Sequence, residues 1–175
     1  MSEPVTRAFL VDLTPESFTP YGRVIEAPLA NPDATGAGWR WWGETQVLTG
    51  DGRPFGVGYL DLAPAPMQFD WAERHMRSPE TILPLSGDCA VYVGPPDHAD
   101  EPQRLPAFDS FKVFLIRAGR GVILDPGVWH GAPLAVGGPG HAVVLLLEGT
   151  GATDTTVVRF DDTPVEIMSD RALEG

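Results

Sequence analysis

Residues 71–87 read WAERHMRSPETILPLSG. Glu73 and His75 stand two apart, so on an extended strand both side chains leave the same face and both can meet one ligand. Four residues separate His75 from Glu80, and six more lead to Gly87. A second cluster, GRGVILDPGVWHG at 119–131, places Asp125, Pro126 and Gly127 five residues beyond Gly119, with His130 three beyond Gly127. Glu73, His75, Glu80, Asp125 and His130 are thus the chemistry-bearing side chains of the two clusters. The ordinary alternatives are a surface histidine at 75, a Glu80 paired with a nearby arginine, a solvated Glu73 and a turn aspartate at 125.

Around these clusters the chain is broken often. Eighteen prolines and twenty glycines punctuate 175 residues, which disfavours long helices. Between the breaks lie AFLVDL, PFGVGYLDL, ETILPL, CAVYVG, FKVFLIR, GVILD, HAVVLLLEG and TTVVRF, short runs rich in β-branched and aromatic residues. Such runs predict an all-β sandwich or barrel. One helix is expected over TPESFTPYG, with Thr14 as cap, Pro15 in the first turn and Gly22 as terminator. APLANPDATGAG and GPPDHADEPQRLPAFDS read as surface loops of one domain spanning residues 1–175. GWRWWGE sets three tryptophans around Arg40 and reads as a hydrophobic lid or dimer surface.

Composition narrows the partners. Twenty-four acidic residues against twelve basic give a net charge of −12, a surface that repels phosphate backbones and anionic lipid. No nucleic-acid partner is expected. An acidic protein that takes a small anionic substrate needs a local cationic site, which makes its few basic residues informative, Arg40, Arg74, Arg77 and Lys112 among them. Alternation puts Arg74 on the face opposite His75, toward a partner subunit or a neighbouring loop. Cys89 is the sole cysteine, expected as a buried thiol in a reducing compartment. No apolar window reaches the length of a membrane span, and MSEPVTRAFL lacks a basic segment followed by an apolar one; the expected location is the cytoplasm. The apolar AFLVDL segment suggests an edge strand and a homodimer.

The two clusters resemble the paired motifs of the cupin superfamily. The first motif runs Gly, five residues, His-x-His, three or four residues, Glu, six residues, Gly; Glu73 stands at its first histidine. The second runs Gly, five residues, Pro-x-Gly, two residues, His, and here its proline is shifted by one. Within that superfamily the chain is similar to the ureidoglycolate lyase family, on SFTPYGRVIE, ERH at 73–75, LPLSG at 83–87, RGV at 120–122 and VWHGAPLA at 128–135. The likeness runs from about Ser17 to Gly149. Family members often carry histidine at the positions of Asp125 and Gly131, and glutamine at those of Glu80 and Arg120.

The resemblance implies a cupin-like antiparallel jelly-roll barrel with one or two short helices. It also implies carbon–nitrogen cleavage of ureidoglycolate to glyoxylate and urea, in purine and allantoin nitrogen catabolism. Glu73, His75, Glu80 and His130 would face the barrel mouth as metal ligands, two imidazoles and two carboxylates suited to a divalent ion such as Mn²⁺, Fe²⁺, Ni²⁺ or Zn²⁺, and His130, Glu73 and Asp125 would be the catalytic candidates. Arg40 and Lys112 align with basic positions of the family, which makes them the leading carboxylate binders, with Arg74 as the third substrate-binding candidate. The alternative is another metal-dependent cupin enzyme, an isomerase or oxygenase acting on a small carboxylic acid.

Overall fold

The computed structural model describes residues 6–160 and 164–169. In chain order it builds β1 (Arg7–Asp12), α1 (Pro15–Phe18), β2 (Gly22–Ile25), β3 (Ala34–Gly36), β4 (Trp39–Trp41), β5 (Phe55–Leu62), β6 (Gln68–Phe69) and β7 (Trp71–His75). β8 (Glu80–Gly94), β9 (Lys112–Ile116), β10 (Gly121–Leu124), β11 (Trp129–His130), β12 (Leu134–Leu147), α2 (Thr150–Thr153), β13 (Thr155–Arg159) and β14 (Val165–Met168) follow. Twelve strands join in one curled sheet, and β3 with β4 forms a separate hairpin. The expected all-β, cupin-like barrel with short helices is the observed fold.

β8 is its spine. The early half pairs with β10 on one side and β12 on the other; the late half pairs with β9 on one side and with β12 and β11 on the other. ETILPL and CAVYVG are therefore one strand, bent at Ser86–Asp88, where the register with β12 also shifts. Both faces of its late half are buried, which accounts for a run without polar alternation. Cys89, Val91 and Val93 join Phe18, Ile82, Phe114, Val122 and Leu124 in one core, while Ala90 and Tyr92 face a second core with Phe69, Phe111, Val113 and Trp129. Cys89 is fully buried, and burial, with Asp88 beside it, pushes its thiol up to about 12, so it is inert packing as expected.

Two expectations are corrected here. The helix starts as read, with Thr14 capping Ser17 and Pro15 in the first turn, but it stops at Phe18. Pro20 has no N–H to continue it, and Gly22 opens β2 instead. At φ +146°, Gly22 lies so close to β10 that a Cβ would collide with the Ile123 carbonyl. Nor is AFLVDL an edge: β1 is paired in parallel with β9 on one side and β14 on the other. Among the described residues β5 is one of the free edges: its eight residues pair only with β12, and its Val57 and Tyr59 are exposed.

Candidate active site

Strand register lays the site out as a row. Lys112 on β9 pairs with Val93 on β8, Val93 with His130 on β11, and His130 with Glu73 on β7. Paired residues share a face, so Lys112, His130 and Glu73 project from the face that carries the Val93 core, with His75 one pleat further along β7. At about 4.8 Å per strand, Lys112 and His130 originate roughly 10 Å apart, a gap that a small acid can fill. Lys112 is exposed and makes no ion pair among the described residues.

Each histidine is oriented by a backbone carbonyl. His130 Nδ1 lies 2.9 Å from the Val128 carbonyl, and His75 Nδ1 lies 3.2 Å from that of Asp154, with Thr155 Oγ1 also at 3.2 Å. A carbonyl only accepts, so both Nδ1 atoms carry the proton. Both Nε2 atoms then point inward, 3.2 Å (His75) and 3.0 Å (His130) from the same Glu80 Oε2. Three lone-pair atoms converge in a nearly dry pocket, where His75, Glu80 and His130 are each less than a tenth exposed. Only positive charge makes that arrangement stable: protons on the rings or a metal ion between them.

A divalent ion fits. Two ligands held ~2.1 Å from one ion at right angles lie ~3 Å apart, the spacing seen around Glu80 Oε2. Glu73, His75 and His130 also offer ligand atoms within 4.8 Å of one another. Burial raises the Glu80 carboxyl, but the charge of His130 and hydrogen bonds from both rings outweigh it and bring it down to about 2. Burial lowers His130 in turn, and the Glu80 carboxylate overcomes this to leave its pKa raised.

The turn that presents His130 is pinned at both ends. Asp125 donates its N–H to the Tyr21 carbonyl at 2.9 Å, and Gly127 donates to the His75 carbonyl at 2.7 Å. Gly131 follows; any Cβ there would meet the Tyr92 hydroxyl, which donates to the Trp71 carbonyl at 2.8 Å.

Two expected site residues stand apart from the group. Arg74 is fully buried on the opposite face, as alternation requires, and its guanidinium is committed elsewhere. It donates to the carbonyls of Asp97, His98 and Glu101 at 2.9, 3.1 and 3.1 Å and stacks 4.5 Å from the Trp129 ring. The carboxylate-binding reading of Arg74 is thereby replaced by a loop clamp. Asp125 is exposed and makes backbone contacts, its carbonyl accepting Val128 N–H at 3.2 Å, so it sits as a turn residue outside the group that Glu80 and the two histidines form. Arg40 sits on the exposed β3–β4 hairpin, 5.4 Å over the Trp42 ring, while Trp39 and Trp41 are exposed beside it. Sequence reasoning missed Asp154 and Thr155, which lie 79 and 80 residues from His75 and carry no local motif.

The family profile described as Ureidoglycolate lyase matches residues 6–168. The Ureidoglycolate lyase of Rhodobacter capsulatus is 30% identical over 152 residues, covering 83% of this chain and 89% of that one. That of Azotobacter vinelandii is 27% identical over 145 residues, covering 79% and 84%. Among solved structures, a dTDP sugar isomerase from Desulfovibrio desulfuricans G20 aligns at 16% identity over 86% of this chain and 87% of that one, with a TM-score of 0.44.

Proposed function

The chain belongs to the ureidoglycolate lyase family, and from that membership we infer that it is a carbon–nitrogen lyase cleaving ureidoglycolate to glyoxylate and urea. The observation that carries the reading is the buried convergence of His75, Glu80 and His130 beside Glu73, on a face that also holds a free cation at Lys112.

Ureidoglycolate bears a hydroxyl, a carboxylate and a urea nitrogen on one carbon. Cleavage removes the hydroxyl proton, turns that C–O bond into the aldehyde C=O of glyoxylate, breaks the C–N bond and delivers a proton to the departing nitrogen. Lys112 is the proposed partner for the substrate carboxylate, and Arg40, presented on the tryptophan hairpin, is the second. Glu73 is the carboxylate of the group with partial access to solvent, which suits it as base for the hydroxyl. His130, with Nε2 aimed into the pocket and its proton exchangeable with Glu80, suits the acid that protonates nitrogen. These proton-transfer roles belong to the metal-free site. His75, Glu80, His130 and Glu73 are also the residues that would hold a divalent ion, and His130 Nε2 and the Glu73 carboxylate would then be ligands rather than acid and base. Bound there, such an ion would lower the pKa of the substrate hydroxyl and fix its geometry.

The assembly proposed is a homodimer built on the free edge of β5, and the expected setting, suited to the buried free thiol of Cys89, is a reducing compartment such as the cytoplasm. The test of function is glyoxylate release from racemic ureidoglycolate. Wild type should exceed the spontaneous rate, with His130→Ala and Glu73→Gln each slower by about 10²–10⁴-fold. Well-folded wild type at the background rate would overturn the reading.

A further inference from the structure

The bend after His75 is gripped by a carboxylate from the junction of α2 and β13. Met76, Arg77 and Ser78 each donate a backbone N–H to the Asp154 carboxylate, at 3.1, 2.9 and 3.2 Å. Successive amides turned toward one anion form a nest, and here the anion is supplied by the protein itself. The Asp154 side chain is only 6% exposed. Arg77 closes the outer side, with Nε 3.4 Å from the carboxylate and a bond to the Thr153 carbonyl at 2.9 Å. The carbonyl of the same Asp154 accepts from His75 Nδ1. One residue thus holds the backbone just past His75 and the outer nitrogen of its ring. Glu80 lies two residues beyond Ser78, so the same clamp sets where β8 begins.

We propose that Asp154 is a positioning residue: its carboxylate locks the 76–78 bend so that His75 keeps Nδ1–H outward and Nε2 aimed at Glu80 and His130. The inference rests on the reading of that group as the reactive centre. A ligating histidine needs its far nitrogen fixed, and loss of such outer partners typically weakens metal binding by about 10–100-fold. Thr155 Oγ1, on the first residue of β13 and paired in register with His75, supplies the ring's second contact, so the clamp and the strand act together.

The experiment compares wild type with Asp154→Asn, Asp154→Ala and Ser78→Ala. Ser78 Oγ accepts Leu147 N–H at 2.9 Å in the same bend without touching His75, so Ser78→Ala reports loss of stability alone. Imidazole ¹⁵N spectra are recorded on chelator-treated protein, and Zn²⁺ alone is titrated by calorimetry. Wild type should show a slowly exchanging His75 Nδ1–H. Asp154→Ala should lose it and bind Zn²⁺ about 10–100-fold more weakly. Asp154→Asn, which keeps an accepting oxygen but no charge, should fall between, and it decides the matter if Asp154→Ala does not fold. Ser78→Ala should lower Tm while leaving His75 and Zn²⁺ affinity as in wild type. A wild-type His75 spectrum in both Asp154 variants, or Ser78→Ala reproducing their effects, overturns the proposal. Wild type that fails to release glyoxylate while the spectra behave as expected would sink the lyase reading and leave the positioning role standing.

Discussion

Glu80 is the hinge of the site's electrostatics, since one oxygen of one carboxylate faces two imidazoles. The signs of the two shifts define a pH window for the metal-free protein. Glu80 is lowered from 4.5 to about 2, so its contribution is present above pH 4.5 and is lost as pH falls toward about 2. His130 is raised from 6.5, so its contribution is complete below pH 6.5 and fades as pH climbs through the raised value. The stability difference between chelator-treated wild type and Glu80→Gln should therefore peak between about pH 4.5 and 6.5. Denaturant midpoints across pH check this, and a flat difference would show that the pair is not ionised together. Protons and metal compete for the same Nε2 atoms, so Zn²⁺ affinity should also fall as the solution is acidified through the His130 range. At this scale the spacing of Glu73, His75, Glu80 and His130 was legible in the sequence. Alternation also gave the face of Arg74 and its turn toward a neighbouring loop, but not the particular carbonyls more than twenty residues away that hold it, nor Asp154, which is set by amides nearly eighty residues back.

Among the elements, β7 and β11 carry Glu73, His75 and His130 on one face and their support on the other. Arg74 lies between Glu73 and His75 in sequence, Trp129 lies next to His130, and the two stack behind the site. Replacing Arg74 with Met should cost roughly 1.5–3 kcal/mol even if only one of its three charged hydrogen bonds proves irreplaceable. Arg74→Lys should not restore it, because an ammonium lacks the planar fork that reaches separated carbonyls. Urea titration measures both. The longer apolar runs announced their strands, because burial on both faces leaves composition as the signal. β6 and β11, two residues each, and the β3–β4 hairpin had no such signal, since they extend only because a neighbour pairs with them. β1 was misjudged as an edge because pairing partners, not composition, decide what an edge is.

For the molecule as a whole, a ligand that binds only the folded state adds stability by mass action. Zn²⁺ at ~100 times its Kd should stabilise the chelated protein by about 2.7 kcal/mol, read as a concentration-dependent rise in Tm. The β5 edge bears on assembly. Val57 and Tyr59 lie on its outer face, level with Leu145 and Val143 of β12, so lysines at 57 and 59 should turn a dimer into a monomer by sedimentation velocity. Wild type that sediments as a monomer would remove β5 from consideration. The parallel pairing of β1 with β14 sets Arg7 opposite Glu166 and joins the two ends of the described sequence. On the ribosome, where roughly 5–20 residues emerge per second, β1 must wait many seconds for that neighbour. The Asp154 clamp and β13 arrive only shortly before it. A nascent chain stalled ahead of Asp154 would carry Glu73, His75, Glu80 and His130 with nothing to lock the bend after His75, so the proposed positioning of that ring waits until Asp154 has emerged.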